Sequence, residues 1–390
     1  MPPAFLPQWM HRRKKHLEMS IKSKAVIVVA AMLAADLFAA RETVVWEGNR
    51  TVDGIVKILA KDLIVKSGAT VRFSGEGRID LREGTLTATN ATFVAEGVIT
   101  NAWRISVVSG GLRLDGCRLR GMKAVEPVKG YGYYIGSVMV QGYPVRIAEC
   151  EAEDSSAIAV VNAKDAEICR NVFSRCYAGL FAFHTAAGRV RDNAFFDCSE
   201  ALRVNAAHET EFSGNRFTDC GKAIHVLSNR KCRFTGNSFF GGATGVMLWC
   251  EGGGNLYSAN LFEDVRGAAF AAFSAMGADN TFANNIVSRC GYGWNLGRQN
   301  PERRIVLRDN VIMATATGIA LAEGEVYAPN NAFWKVNIPI SAKDEAKVSV
   351  PKMVAADPLF VDAARGDYRL KPDSPLRQAG VNGGDIGLYQ

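Results

Sequence analysis

Asparagine returns along this chain at an interval that leaves few folds open. Asn171, Asn193, Asn215, Asn237, Asn260, Asn285, Asn310 and Asn331 follow one another at spacings of 22, 22, 22, 23, 25, 25 and 21 residues. Two places after each stands an apolar residue: Phe173, Phe195, Phe217, Phe239, Phe262, Val287, Ile312 and Phe333. Three places before stand Ile168, Val190, Phe212, Phe234, Phe282 and Leu307, and five places after stand Cys176, Cys198, Cys220 and Cys290. An apolar–x–apolar strand then closes each repeat: Leu180-Phe-Ala182, Leu202-Arg-Val204, Ile224-His-Val226, Val246-Met-Leu248, Ala268-Ala-Phe270, Trp294-Asn-Leu296 and Ile319-Ala-Leu321. Earlier coils fit with Cys117 and Cys150 in the Asn place and with strands Val138-Met-Val140 and Ile158-Ala-Val160.

Each repeat holds three short strands of period two and has no room for a helix of about ten residues. The expectation is an all-β fold, a right-handed single-stranded parallel β-helix. Each strand pairs with its equivalent one coil away, about 4.8 Å off. Inward residues then stack in columns, burying a core that no single coil could bury alone. Asn suits a tight corner because it tolerates the left-handed backbone region, and stacked amides can satisfy one another when buried. The nine cysteines recur with the coil and read as small core side chains. No CxxC pair points to zinc, and no metal or cofactor is expected.

Three parts are expected: a leader over residues 1–40, the β-helix over 41–350, and a tail over 351–390 packing on the last coils. In the leader, Lys22 and Lys24 precede an apolar run from Ala25 to Ala35, with small residues at Ala39 and Ala40. That is the pattern of a secretory signal, with Met19 as a candidate start, and it implies a secreted, periplasmic or surface protein. The run is too short to span a bilayer, so no transmembrane segment is expected in the mature chain. Residues 1–40 hold six Lys/Arg and two acids, a net of +4, so only +3 of the formal +7 is left for the remainder. So small an excess does not call for nucleic acid. A monomer is expected.

The repeat "VRDNAFFDCSEALRV" (190–204) resembles the coils of the pectate-lyase-like right-handed β-helix superfamily. The stretch "DLIVKSGATVRFSGEGRIDLREGTLTA" (62–88) is similar to the entry coils of exported bacterial members, and "DPLFVDAARGDYRLKPDSPLRQAG" (357–380) to their C-terminal segments. The resemblance implies a fold that carries lyases, hydrolases, epimerases and non-catalytic adhesins alike.

The middle residues of the closing strands point outward. They form one column through Met139, Ala159, Phe181, Arg203, His225, Met247, Ala269, Asn295 and Ala320, and a second through Val161, Phe183, Asn205, Leu227 and Trp249. Aromatic, Arg, His and Asn side chains on such a face suit a polysaccharide ligand, since rings stack on sugars while the polar groups bond hydroxyls and carboxylates. His184 and Asn295 join Phe181, Phe183, Asn205 and Trp249 as candidate binding residues. The long insertion before Val138 adds Tyr131, Tyr133 and Tyr134 as a candidate wall. These columns hold no cluster of carboxylates for calcium or for a glycosidase pair. The candidate catalytic residues are therefore Arg203 to neutralise a uronate carboxylate, His225 to take an α-proton, and Glu251 nearby. The alternative is a non-catalytic surface or structural solenoid.

Overall fold

The computed structural model describes residues 41–99, 102–124, 137–156, 158–300, 302–303 and 305–388. The leader and Tyr131, Tyr133 and Tyr134 lie outside the described residues. From Thr43 to Ser349 the chain winds as a solenoid whose strands form three parallel sheets running its length. One sheet holds 13 strands, from Asn49–Val52 to Ala332–Trp334. The only antiparallel pair among the described residues joins Phe360–Asp362 to Asp367–Leu370 in the tail. The helical content described is two 3-10 turns, Ala363–Arg365 and Val381–Gly383. The fold is thus the right-handed parallel β-helix that the repeat implies.

The register explains how the repeat builds a core. Phe173, Phe195, Phe217, Phe239 and Phe262 stack with ring centroids 4.8, 4.9, 4.9 and 4.3 Å apart. A second file runs Phe212, Phe234, Tyr257 and Phe282 at 4.7 Å per step. Identical residues at identical places must meet across the ladder, and each aromatic contact contributes about 0.5–1.5 kcal/mol beyond area burial. The third inward file is Leu180, Leu202, Ile224, Val246, Phe270 and Trp294, all buried.

The Asn corner is a continuous hydrogen-bonded ladder. The Nδ2 of Asn193 donates to Asn215 Oδ1 at 2.9 Å and to the Ile168 carbonyl at 3.1 Å. The Asn193 backbone amide donates to the same Asn215 Oδ1 at 3.1 Å. The pattern repeats upward to Asn331, so each buried amide is satisfied by the coils on either side. All nine cysteines are free, and eight are buried; Cys250 alone is exposed.

One coil departs from the sequence reading. The pattern Ala268-Ala-Phe270 put Ala269 in the outward column. The register instead sets Phe270 opposite Val246 and Trp294, and Ala271 opposite Met247 and Asn295. Ala269 is fully buried and Ala271 takes the outward place. The turn at Val265-Arg-Gly267 is one residue longer than its counterpart at Ser199 or Gly221, which moves the strand along by one place relative to the Asn corner.

The tail lies on the outside of the 13-stranded sheet. Phe360, Tyr368, Leu376 and Ile386 cover Leu261, Ile286, Val311 and Ala332, an outward apolar column on its last strands. Asn284 and Asn330 tie it down through the Asp385 and Ala379 carbonyls at 3.2 and 2.6 Å. The described tail residues therefore close that sheet at this end.

Candidate functional site

The candidate face is built from Ala178–Phe183, Glu200–Asn205, Lys222–Leu227 and Thr244–Trp249. In-register pairing brings Phe181, Arg203, His225 and Met247 into one file, and Phe183, Asn205, Leu227 and Trp249 into the next. Arg203 and His225 are therefore direct neighbours on adjacent coils.

A carboxylate that sequence reasoning left out joins them. Glu200 begins the strand that ends at Asn205, and its Oε1 lies 2.5 Å from His225 Nδ1. Its Oε2 lies 3.9 Å from an Arg203 guanidinium nitrogen. All three side chains are largely enclosed, at 5, 10 and 13 % exposure for Glu200, His225 and Arg203. An enclosed carboxylate needs such partners, because burial without them is costly. In the neutral imidazole, the bond to Glu200 places the proton on Nδ1 and the lone pair on Nε2. That Nε2 is buried and meets no hydrogen-bond partner among the described residues. Chemically, the arrangement is an oriented imidazole base beside a guanidinium.

The other candidate residues divide. Phe181 carries the Arg203 guanidinium at 5.7 Å from its ring centroid, but it is only 2 % exposed. It packs with Ala159 and Ala178, against Trp103 and Met139, so it is a foundation for Arg203 and offers no open stacking surface. Phe183 is half-buried, and His184 stands against it at a centroid distance of 4.2 Å. Asn205 is half-buried and Asn295 exposed, the latter four coils from Arg203 in the same file as Ala271. Trp249 is 49 % exposed and has a partner that sequence reasoning missed: Phe273, 57 % exposed, with ring centroids 6.5 Å apart. Phe273 follows Ala271 by two, as Trp249 follows Met247, and was hidden by the misplaced Ala269.

Glu251 is not brought to this cluster. Its carboxyl is buried inside the coil, where Oε1 accepts from Asn255 Nδ2 at 2.8 Å and from the Tyr257 hydroxyl at 3.0 Å. Burial pushes it up to about 8. It occupies a place in an interior polar file with Asn229, Asn255 and Asn280. Among the described residues no group of three or more His, Cys, Asp or Glu side chains is gathered as metal ligands would be.

The family model of the right-handed beta helix region matches residues 104–262 and 200–338, together more than half of the chain. The chain belongs to the right-handed β-helix family. Solved structures with similar β-helix coils include a periplasmic alginate epimerase, AlgG, at 13 % identity, covering 78 % of this chain and 84 % of that one with a TM-score of 0.48. Another is the alginate lyase AlyF-OU02 in complex with G6, at 10 % identity, 92 % of each chain and a TM-score of 0.45. A third is an exopolygalacturonase from Thermotoga maritima, at 10 % identity, 79 % and 84 % coverage and a TM-score of 0.38. No chemistry of the β-helix described here follows from likeness at this level. No curated protein sequence matches the chain. No helix among the described residues is long and apolar enough to cross a membrane.

Proposed function

We propose that this β-helix is an exported polysaccharide-active protein that binds a glycan across the face of Arg203, Asn205, His225 and Trp249 and cleaves it as a uronate-polymer lyase. The observation that carries the reading is the Glu200–His225 pair, which fixes the imidazole with Nδ1 on the carboxylate and leaves Nε2 without a partner among the described residues. Arg203, one coil away, neutralises the uronate carboxylate and so acidifies the proton on the adjacent carbon. His225 Nε2 takes that proton. The freed electron pair forms a carbon–carbon double bond and expels the neighbouring glycosidic oxygen, which takes a proton from water. Glu200 stabilises the imidazolium formed.

The test is absorbance of unsaturated product over a panel of polyuronides. His225→Ala and Glu200→Gln are expected to lose turnover while keeping most glycan binding. A parent protein that releases no unsaturated product from any polyuronide sinks the lyase reading. The enclosure of His225 and Arg203, at 10 and 13 % exposure, favours a second reading, a non-catalytic glycan-binding solenoid. It predicts binding without turnover.

A further inference from the structure

The strand that ends at Trp249 runs directly into a turn corner that holds an open cleft of about 710 Å³. Arg230 and Lys231 stand at one end of the cleft and Arg303 at the other. Their turns are three coil steps apart, about 14 Å at the ladder spacing. Lys231 is shared with Glu209 at 3.6 Å, whereas Arg230 and Arg303 form no ion pair among the described residues. Two acids, Asp279 and the buried Glu251, line the same space against the three cations, which leaves the cleft net basic.

The floor between the two cationic ends is glycine backbone. A Cβ at Gly252 would stand 2.1 Å from the Asn229 carbonyl oxygen, and one at Gly277 would stand 2.6 Å from the Gly252 carbonyl carbon. No side chain can rise there without moving the coil, so the floor stays low and open. Trp249 immediately precedes the lining residue Cys250, and Phe273 is its half-exposed aromatic neighbour on the next coil. Two exposed rings in contact on neighbouring coils offer a surface on which a sugar ring can stack.

We propose that this corner cleft binds an extended anionic sugar chain, with rings resting on Trp249 and Phe273 and carboxylate or sulfate groups meeting Arg230 and Arg303. A single small anion cannot reach both arginines, whereas a chain bearing repeated charges can. The inference rests on the reading that this face takes a glycan; it adds a second contact surface, off the sheet, and fixes the ligand as acidic. A nucleic acid would also bring repeated charge, but one aromatic pair gives no succession of stacking platforms for successive bases.

The experiment is a binding titration of the full chain with polygalacturonate, dextran sulfate, neutral dextran and oligothymidylate, at low and at raised salt. The parent is expected to bind at least one acidic glycan, more weakly as salt rises, and to bind neutral dextran poorly. Polygalacturonate against dextran sulfate decides between carboxylate and sulfate. The exposed double variant R230A/R303A is expected to weaken acidic-glycan binding about tenfold or more, the scale of a lost charge-assisted bond. Equal binding by parent and double variant overturns the inference, as does dextran bound as tightly as the acidic polymers. Oligothymidylate bound as tightly as the acidic glycans overturns it too. If the parent binds no glycan at all, the proposed function falls with the inference. If acidic glycan binds through the arginines but no polyuronide is cleaved, only the lyase reading falls.

Discussion

Raising the pH from 5 to 8 should weaken this protein through one buried carboxyl, and Glu251→Gln should remove that weakness. Glu251 lies among Asn229, Asn255 and Tyr257, with no cation in hydrogen-bonding contact among the described residues, and burial raises its titration from the ordinary 4.5 to about 8. Below the ordinary value both folded and unfolded chains hold the proton, and stability is unaffected. Between the two values the unfolded chain has released the proton while the folded chain keeps it, so each rise in pH favours unfolding. Above the folded value both are ionised and the loss is complete. At about 1.4 kcal/mol per pH unit across that window, the full loss approaches about 5 kcal/mol. Glutamine is neutral, keeps an oxygen to accept from Tyr257 and Asn255, and does not titrate. The assay is urea denaturation of parent and E251Q at matched pH values from 5 to 9, compared as a difference so that every other titrating group cancels. The variant should gain on the parent steadily up to about pH 8 and then hold its margin. A difference that stays flat across the series would refute the reasoning.

Three further outcomes are expected. Asn215→Ala should cost about 2–4 kcal/mol in the same denaturation assay, because Asn193 loses the oxygen that its backbone amide and its Nδ2 both use. A thiol reagent should label one cysteine quickly in the native protein, Cys250, and the remaining eight after denaturation, with Cys232 and Cys290 further restrained because burial pushes both thiols up to about 12. Replacing Glu200 and His225 together by Leu should leave stability equal or higher while abolishing whatever the face does, since a buried polar pair exchanged for apolar side chains is often neutral or stabilising; a collapse of stability would mark the pair as structural.

What could be read from the sequence tracks how much chemical contrast each position carries. The Asn ladder and the Phe files were legible because a distinctive residue recurs at a fixed interval, and parallel pairing leaves no other partner for it. The coil at Ala268-Ala-Phe-Ala-Ala272 was misread because four alanines give no contrast between faces, so nothing marks the extra residue of the preceding turn. Glu200 was missed for a different reason. Strict alternation from the outward Arg203 makes Ala201 outward and Glu200 inward. The register skips that position, with Ala178 opposite Glu200 and Leu180 opposite Leu202, and Ala201 is fully buried. A local break in the pleat thus turns Glu200 to the face that holds His225, and no periodicity could announce it. Glu251 stood near the candidate column in sequence, but the turn after Trp249 folds inward and carries the carboxyl with it.

The placement of the polar cluster follows from how a solenoid distributes stability. Each coil is held chiefly by its two neighbours, so a costly group does least harm where both neighbours are strongly bound. Glu200, Arg203 and His225 sit over coils whose interiors carry the longest aromatic files, Phe173 to Phe262 and Phe212 to Phe282. The same coils carry three consecutive rungs of the Asn ladder, Asn193, Asn215 and Asn237. Enclosing a carboxylate and an imidazole on the outer face costs free energy that these interior contacts offset. The rigid ladder in turn keeps Arg203 and His225 one coil step apart, with little freedom to drift. On the proposed reading, Glu200 and His225 are held for a ligand and not for the fold, and they stand where the fold is best able to tolerate them.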